Sequence, residues 1–212
     1  MKEPPIEDRK QPQLRHEYVA GLRFNSEIQA LVNGRWSDLP GPSSSGASGS
    51  GAQDHFETCL VQCLAILGRP LKMSISGAAV ESEAPPQSGD PGHLQSWLRR
   101  QKISVQVEVP TLGTSIDVAT AALSGIEAGA VGMLRLTRRS GNASWALVTG
   151  VELTQARPRS LLLLDPNLAL PWASGYNARL RARSTAAGLI YGGLDGERHM
   201  VLVLQMWLLR RG

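Results

Sequence analysis

Cys59 is the residue of this sequence whose type and position are best suited to covalent chemistry. The apolar stretch 58–67 has a plausible N-cap at Thr58 and stops at Gly68, which predicts a buried helix with Cys59 at its start. Free backbone N–H groups and the positive end of the helix dipole favour a thiolate there. Gln53 lies six residues upstream, where its amide could stabilise the oxyanion formed when the thiolate attacks a carbonyl. Because free cysteine is among the most buried residue types, core packing is the alternative for Cys59.

Four segments of the chain follow one another in an order that is more specific than any one of them. They are Gln53-x5-Cys59, Cys-Leu-Val-Gln-Cys-Leu-Ala-Ile-Leu at 59–67, Ser-Trp-Ala-Leu-Val-Thr-Gly-Val at 144–151, and Leu-Leu-Leu-Leu-Asp-Pro at 161–166. In order and spacing, residues 53–172 resemble the C39-like branch of the papain-fold cysteine peptidases, which includes bacteriocin-leader peptidases and related bacterial domains. The resemblance implies an α+β fold, in which an N-terminal helical part carrying Cys59 packs on an antiparallel β-sheet.

The resemblance also implies roles for single residues. Cys59 would be the nucleophile, Gln53 the oxyanion donor and Asp165 the carboxylate that orients the catalytic histidine. That histidine is missing, because Ser144 occupies its position, and Leu60 replaces the glycine that usually follows the cysteine. Serine has no basic nitrogen, so Ser144 cannot hold a thiolate as an ion pair or protonate a leaving amine. We therefore expect a catalytically degenerate domain that binds a peptide or protein partner in the former substrate cleft, with Asp165 left to open an Asp-Pro turn.

Two other functions stay open at this point. His199 begins the final strand and could act as a relocated base, which would make the chain an active cysteine peptidase or acyl-transfer enzyme. The motif order could instead be coincidental, in an unrelated α+β scaffold. His55, Cys59 and Cys63 follow one another at one-turn spacing, but three ligands on one helix give poor tetrahedral geometry, so no metal site or cofactor is predicted. Cys63 is expected to lie in the core.

Hydrophobic periodicity predicts helices first and an antiparallel sheet afterwards, which is an α+β order. The predicted helices are 58–67, 93–101 and 116–128, and the predicted strands are 103–109, 130–137, 145–153, 160–164 and 199–209. Together they form one papain-like domain at 53–212. Composition predicts three segments before it, which are a flexible arm at 1–20, a β-hairpin at 21–39 and a Gly/Ser/Pro linker at 40–52.

Charge and composition exclude several classes of protein. The 22 lysine and arginine residues outnumber the 18 acidic ones, but the arginines form scattered pairs and aromatic residues are only 5%. This pattern is typical of a solvated basic surface and not of a nucleic-acid interface. No apolar run reaches the roughly 20 residues of a membrane span, and no secretory signal is visible. We therefore expect a cytoplasmic protein, or one exported without a cleavable signal, whose oligomeric state stays open.

Overall fold

The described part of the chain consists of eight strands and three helices. The computed structural model describes residues 14–18, 55–69, 90–113, 115–138, 143–168, 176–182, 189–193, 196 and 198–212. The helices are α1 (Phe56–Ile66), α2 (Pro91–Arg100) and α3 (Ser115–Glu127). The strands are β1 (Leu14–Tyr18), β2 (Val105–Glu108), β3 (Val131–Arg138), β4 (Ala143–Thr154), β5 (Arg157–Leu164), β6 (Ala178–Ala182), β7 (Leu189–Gly193) and β8 (Arg198–Arg211). None of these three helices is long and apolar enough to span a lipid bilayer.

Six of the strands form a closed antiparallel β-barrel. The order around the ring is β4-β3-β8-β7-β6-β5, and pairing of β5 with β4 closes it. The other two strands lie outside the ring. β1, from the segment predicted as an arm, pairs with the end of β4, and β2 pairs with the end of β8. At 12 and 14 residues, β4 and β8 are long enough to accept a third neighbour each.

The predicted papain-like α+β fold is wrong. The three predicted helices and five predicted strands are present, with ends shifted by at most three residues. The difference comes from β6 and β7, which the periodicity did not reveal because both are short and rich in arginine or glycine. These two strands connect β5 to β8, so the antiparallel sheet closes on itself. The predicted hairpin and linker lie outside the described residues.

α3 closes one end of the barrel. It contacts β3, β4, β5, β6 and β8, which lie on opposite sides of the ring. A helix on the outer wall could not reach all of these strands, so α3 must lie across the mouth of the barrel. Gly125 permits its close approach, because a Cβ there would come within 2.8 Å of the Leu208 side chain. We call the opposite end, where β4 begins and β5 ends, the distal end.

α1 lies on the outside of the barrel, against β3 and β4. Its first residue, Phe56, packs edge-on against Trp145 and Trp207, with ring centroids 5.3 and 5.4 Å away. Successive side chains of a strand point to opposite faces, and Leu208 of β8 faces α3. The neighbouring Trp207 therefore points away from α3, toward α1 on the outside of the barrel. Both tryptophans are buried. This aromatic cluster holds the beginning of α1 beside the beginning of β4.

Candidate functional site

The distal end of the barrel brings together residues that are far apart in the sequence. Ser144 is the second residue of β4, and Asp165 directly follows β5, whose last residue Leu164 pairs with Leu147 of β4. His55 immediately precedes α1, which the aromatic cluster holds at the same place. Pairing of β4 with β5 therefore places Ser144 and Asp165 at the same end of the barrel.

Asn167 connects these residues through its side chain. Its Nδ2 donates to Asp165 Oδ1 at 2.9 Å and to Ser144 Oγ at 3.5 Å, and its Oδ1 lies 2.9 Å from His55 Nε2. The carboxylate can only accept, so it fixes which end of the amide faces His55. Because Oδ1 is an acceptor, the imidazole must carry its proton on Nε2, and Nδ1 of the neutral ring is left as an acceptor. Three polar side chains thus acquire fixed donor and acceptor roles.

Three of the residues in this hydrogen-bond network reach the protein surface. Asn167 is exposed, while His55 and Ser144 are half-buried. We call these three residues the distal rim. His55 has a φ of 51°, in the left-handed region that side chains other than glycine rarely adopt, at a cost of about 1 kcal/mol. The His55 side chain makes no capping hydrogen bond to α1. It makes a hydrogen bond to Asn167 instead.

Asp165 is buried beneath the distal rim and accepts hydrogen bonds on both carboxylate oxygens. Oδ1 accepts from the backbone N–H and the side-chain amide of Asn167, at 2.8 and 2.9 Å. Oδ2 accepts from the hydroxyl of Tyr191 at 2.5 Å. Asn177 then pairs with the backbone N–H and carbonyl of Asp165, at 2.7 and 2.8 Å. The carboxylate that was predicted to orient a histidine therefore orients an asparagine, which in turn contacts His55.

Cys59 does not have the surroundings that its predicted position implied. α1 begins at Phe56 with His55 as its N-cap, so the predicted N-cap at Thr58 is wrong. The backbone N–H of Cys59 already donates to the carbonyl of His55 at 3.1 Å, so it is not one of the free N–H groups at the helix start. The residue is fully buried and belongs to the hydrophobic core. Gln53, the predicted oxyanion donor, lies outside the described residues.

His199, the predicted relocated base, is connected to Asp165 through Tyr191. It is the second residue of β8, and its ring stacks on Tyr191 with centroids 5.6 Å apart and planes at 10°. The hydroxyl of Tyr191 is bound to Asp165, which is itself bound to Asn167. The described contact of the His199 ring is therefore with the aromatic side chain of Tyr191.

Asn167 was missed in the sequence, although a signal for it was present. Asp165-Pro166-Asn167 places two side chains that favour turns on either side of a proline. In the structure the Asp165 carboxylate accepts from the backbone N–H two residues later, which is the hydrogen bond of an Asx turn. The turn predicted at Asp165 therefore also positions Asn167.

Cys63 is a core residue, as predicted. It is fully buried, and its Sγ lies 4.0 Å from the backbone carbonyl of Val131. Desolvation by burial raises the pKa of the Cys63 thiol well above its ordinary value. The thiol therefore stays protonated in the folded chain at neutral pH, where it is a poor nucleophile.

Alkaline pH is expected to reveal this raised pKa as a loss of stability. Above a pH of about 8.5 the unfolded chain ionises the thiol of Cys63 while the folded chain keeps it protonated, so the free energy of unfolding falls by up to about 1.4 kcal/mol per pH unit. Below that pH both states are protonated and the group contributes nothing. Urea unfolding of wild type and Cys63→Ala across this range measures the difference in slope. Equal slopes would contradict the burial of this thiol.

No known family model matches the chain, and no curated protein matches it either. The relationship to the C39-like peptidases therefore stays a prediction from the order of the motifs. The function has to be argued from the geometry of the distal end.

Proposed function

We propose that this chain is a non-catalytic domain that binds a peptide or protein partner at the distal rim. One observation carries the proposal. The cysteine in the nucleophile's place in the motif is fully buried, while the polar side chains around the matching histidine position reach the surface in fixed orientations. A site that hides its nucleophile and presents oriented hydrogen-bonding groups is suited to recognition and not to covalent attack.

The distal rim matches the hydrogen-bonding groups of a peptide. Both N–H groups of the Asn167 amide are already used within the rim, but its Oδ1 keeps a lone pair that can accept from a peptide. The hydroxyl of Ser144 can donate, and Nδ1 of neutral His55 can accept. Because Asp165 fixes Asn167 through two hydrogen bonds, little side-chain entropy is lost when a partner binds. The left-handed backbone of His55 is a strained feature of the kind that clusters at functional sites.

The neighbouring groups offer little to thiol catalysis. Ser144 contacts Asn167 and has no basic nitrogen with which to activate a cysteine. Both oxygens of Asp165 already accept hydrogen bonds. The active enzyme with His199 as its base is the less favoured function, because that ring stacks on Tyr191 within the barrel.

Thiol reactivity tests the non-catalytic part of the proposal. In a Cys63→Ala background, iodoacetamide is expected to label Cys59 in the folded chain far more slowly than in urea, because the thiol is fully buried. Mass spectrometry of digested samples gives the rate at each site, with Cys59→Ala as the matched control for Cys63. Rapid labelling of Cys59 in the folded chain, with a rate that titrates below neutral pH, would contradict the proposal.

Peptide binding tests the recognition part. Peptides selected on the wild-type domain from a random displayed library are expected to bind Asn167→Ala at least about tenfold more weakly, because one substitution removes the central group of the rim. Arg157→Ala, an exposed change at the start of β5, is the control and is expected to leave affinity unchanged. Cys59→Ala is also expected to bind normally. Peptides that bind Asn167→Ala as well as wild type would show that the rim is not the binding site.

A further inference from the structure

We propose that the free edge of β2 binds an extended acidic peptide segment as an added strand, which displaces the side chain of Gln95. This surface is separate from the distal rim. β2 pairs with residues Leu208–Arg211 at one end of β8, while His199 lies at the other end, about 30 Å away along an extended strand. The inference therefore does not depend on the function proposed for the rim.

One edge of β2 pairs with β8, and a glutamine side chain covers the other. Nε2 of Gln95 donates to the carbonyl of Val105 at 2.9 Å, and its Oε1 accepts from the N–H of Val107 at 2.8 Å. A carbonyl and an N–H two residues apart are the pair that one residue of a parallel neighbouring strand would satisfy. Within the described residues, no strand pairs with this edge. The amide of Gln95 therefore occupies the place of a peptide group from a missing strand.

A shallow groove of about 570 Å³ runs along this edge. Its walls include Ile103 and Val107, and its length reaches Gly212 beside β2. Alternate side chains of an extended peptide need such a surface on which to lie. The groove therefore offers apolar side chains beside the edge of β2, on which a peptide can lie once Gln95 moves aside.

Charge selects an acidic peptide. Arg99 follows Gln95 by one turn of α2, so both side chains lie on the same face of that helix. Arg99 is exposed, and it is the one charged side chain among the described residues that line the groove. A carboxylate on the added strand would meet the guanidinium in a charge-assisted hydrogen bond.

Displacement of Gln95 is a balanced exchange at the backbone. The two hydrogen bonds of its amide are replaced by two from the peptide, so β2 loses no backbone partner. Net affinity comes from the side chains of the peptide in the groove and from the contact with Arg99. Removing the competing amide should therefore strengthen binding.

The test uses a short fluorescein-labelled peptide that alternates valine with glutamate, and fluorescence anisotropy as the readout. Gln95→Ala is expected to bind this peptide about tenfold more tightly than wild type, because the competing amide is gone. Arg99→Glu is expected to weaken binding by a similar factor, whereas Arg159→Glu, an exposed change on β5, is expected to leave it unchanged. A peptide with lysine in place of glutamate is expected to bind more weakly than the acidic one.

Two further measurements distinguish binding as an added β-strand from binding through electrostatic attraction alone. Val107→Pro removes the N–H on the free edge and leaves the pairing with β8 intact, so it is expected to abolish binding. The same peptide with N-methyl groups on alternate residues keeps its charge and must also fail, which guards against a variant that does not fold. Equal binding of the methylated or lysine peptide would overturn the proposal. So would a Gln95→Ala variant that binds no peptide and only self-associates.

Discussion

Trp145→Ala is expected to lower the free energy of unfolding by about 4 kcal/mol, the largest effect we predict for a single side chain. The indole is fully buried and contacts Phe56 at 5.3 Å and Trp207 at 4.8 Å between ring centroids. Truncation leaves a large cavity between α1 and the barrel and removes two aromatic contacts. Urea unfolding followed by circular dichroism measures the loss.

Trp145→Phe is the matched control for this prediction. Phenylalanine keeps most of the ring contact, and Nε1 of Trp145 has no hydrogen-bond partner within the described structure, so its removal breaks no bond. The expected loss is about 1–2 kcal/mol. Leu202→Ala, at a side chain that is 55% exposed, should change stability by less than about 0.5 kcal/mol. A loss below about 1 kcal/mol for Trp145→Ala would mean that α1 does not depend on this cluster.

Asp165→Ala is expected to lower the free energy of unfolding by about 3 kcal/mol and to release the distal rim. The substitution leaves the buried hydroxyl of Tyr191 without its acceptor and removes the acceptor of both Asn167 hydrogen bonds. Asn167 is then free to rotate, so His55 loses its fixed neighbour. Nitrogen NMR of the imidazole should show a changed balance of the two tautomers.

A double-mutant cycle with Tyr191→Phe tests whether these groups act as one network. Tyr191→Phe removes the hydroxyl alone and is expected to cost about 1–1.5 kcal/mol. Once Asp165→Ala is present, the same change should cost much less, because the hydroxyl has already lost its acceptor. Additive losses, within about 0.5 kcal/mol, would contradict the hydrogen bond between these side chains.

Local patterns in the sequence identified most elements of the fold. The helix predicted at 58–67 and the strands predicted at 145–153 and 160–164 were recognised from their apolar residues, and they correspond to α1, β4 and β5. Cys63 was expected in the core, and it is fully buried. The formation of a helix or a strand depends on residues that are close in the chain, so the local pattern of apolar residues is suited to predicting it.

Closure of the barrel could not be predicted in this way. It depends on β6 and β7, where Leu180 and Tyr191 are buried but their neighbours include arginine and glycine. Five-residue strands with so few apolar positions resemble loops until their partners are known. The five strands that were recognised fitted the predicted family fold, so nothing in the sequence indicated a ring.

The sequence named two residues of the candidate site and missed a third. Ser144 and Asp165 were named from the motif order, and in the structure the side chain of Asn167 contacts both. The exposure of Cys59 could not be read from the sequence, because it depends on how α1 packs on the barrel. The sequence can name a cysteine as a candidate nucleophile, but tertiary packing decides whether solvent reaches its thiol.

The place of β8 in the ring has a consequence for how the chain folds during synthesis. β8 lies between β3 and β7, yet nearly 60 residues separate the end of β3 from its start in the sequence. The ring therefore cannot close until residues 198–211 have left the ribosome, and until then β3 and β7 each present an unpaired edge. The nascent domain is thus most vulnerable to aggregation before β8 has been synthesised, when chaperones that shield strand edges would matter most.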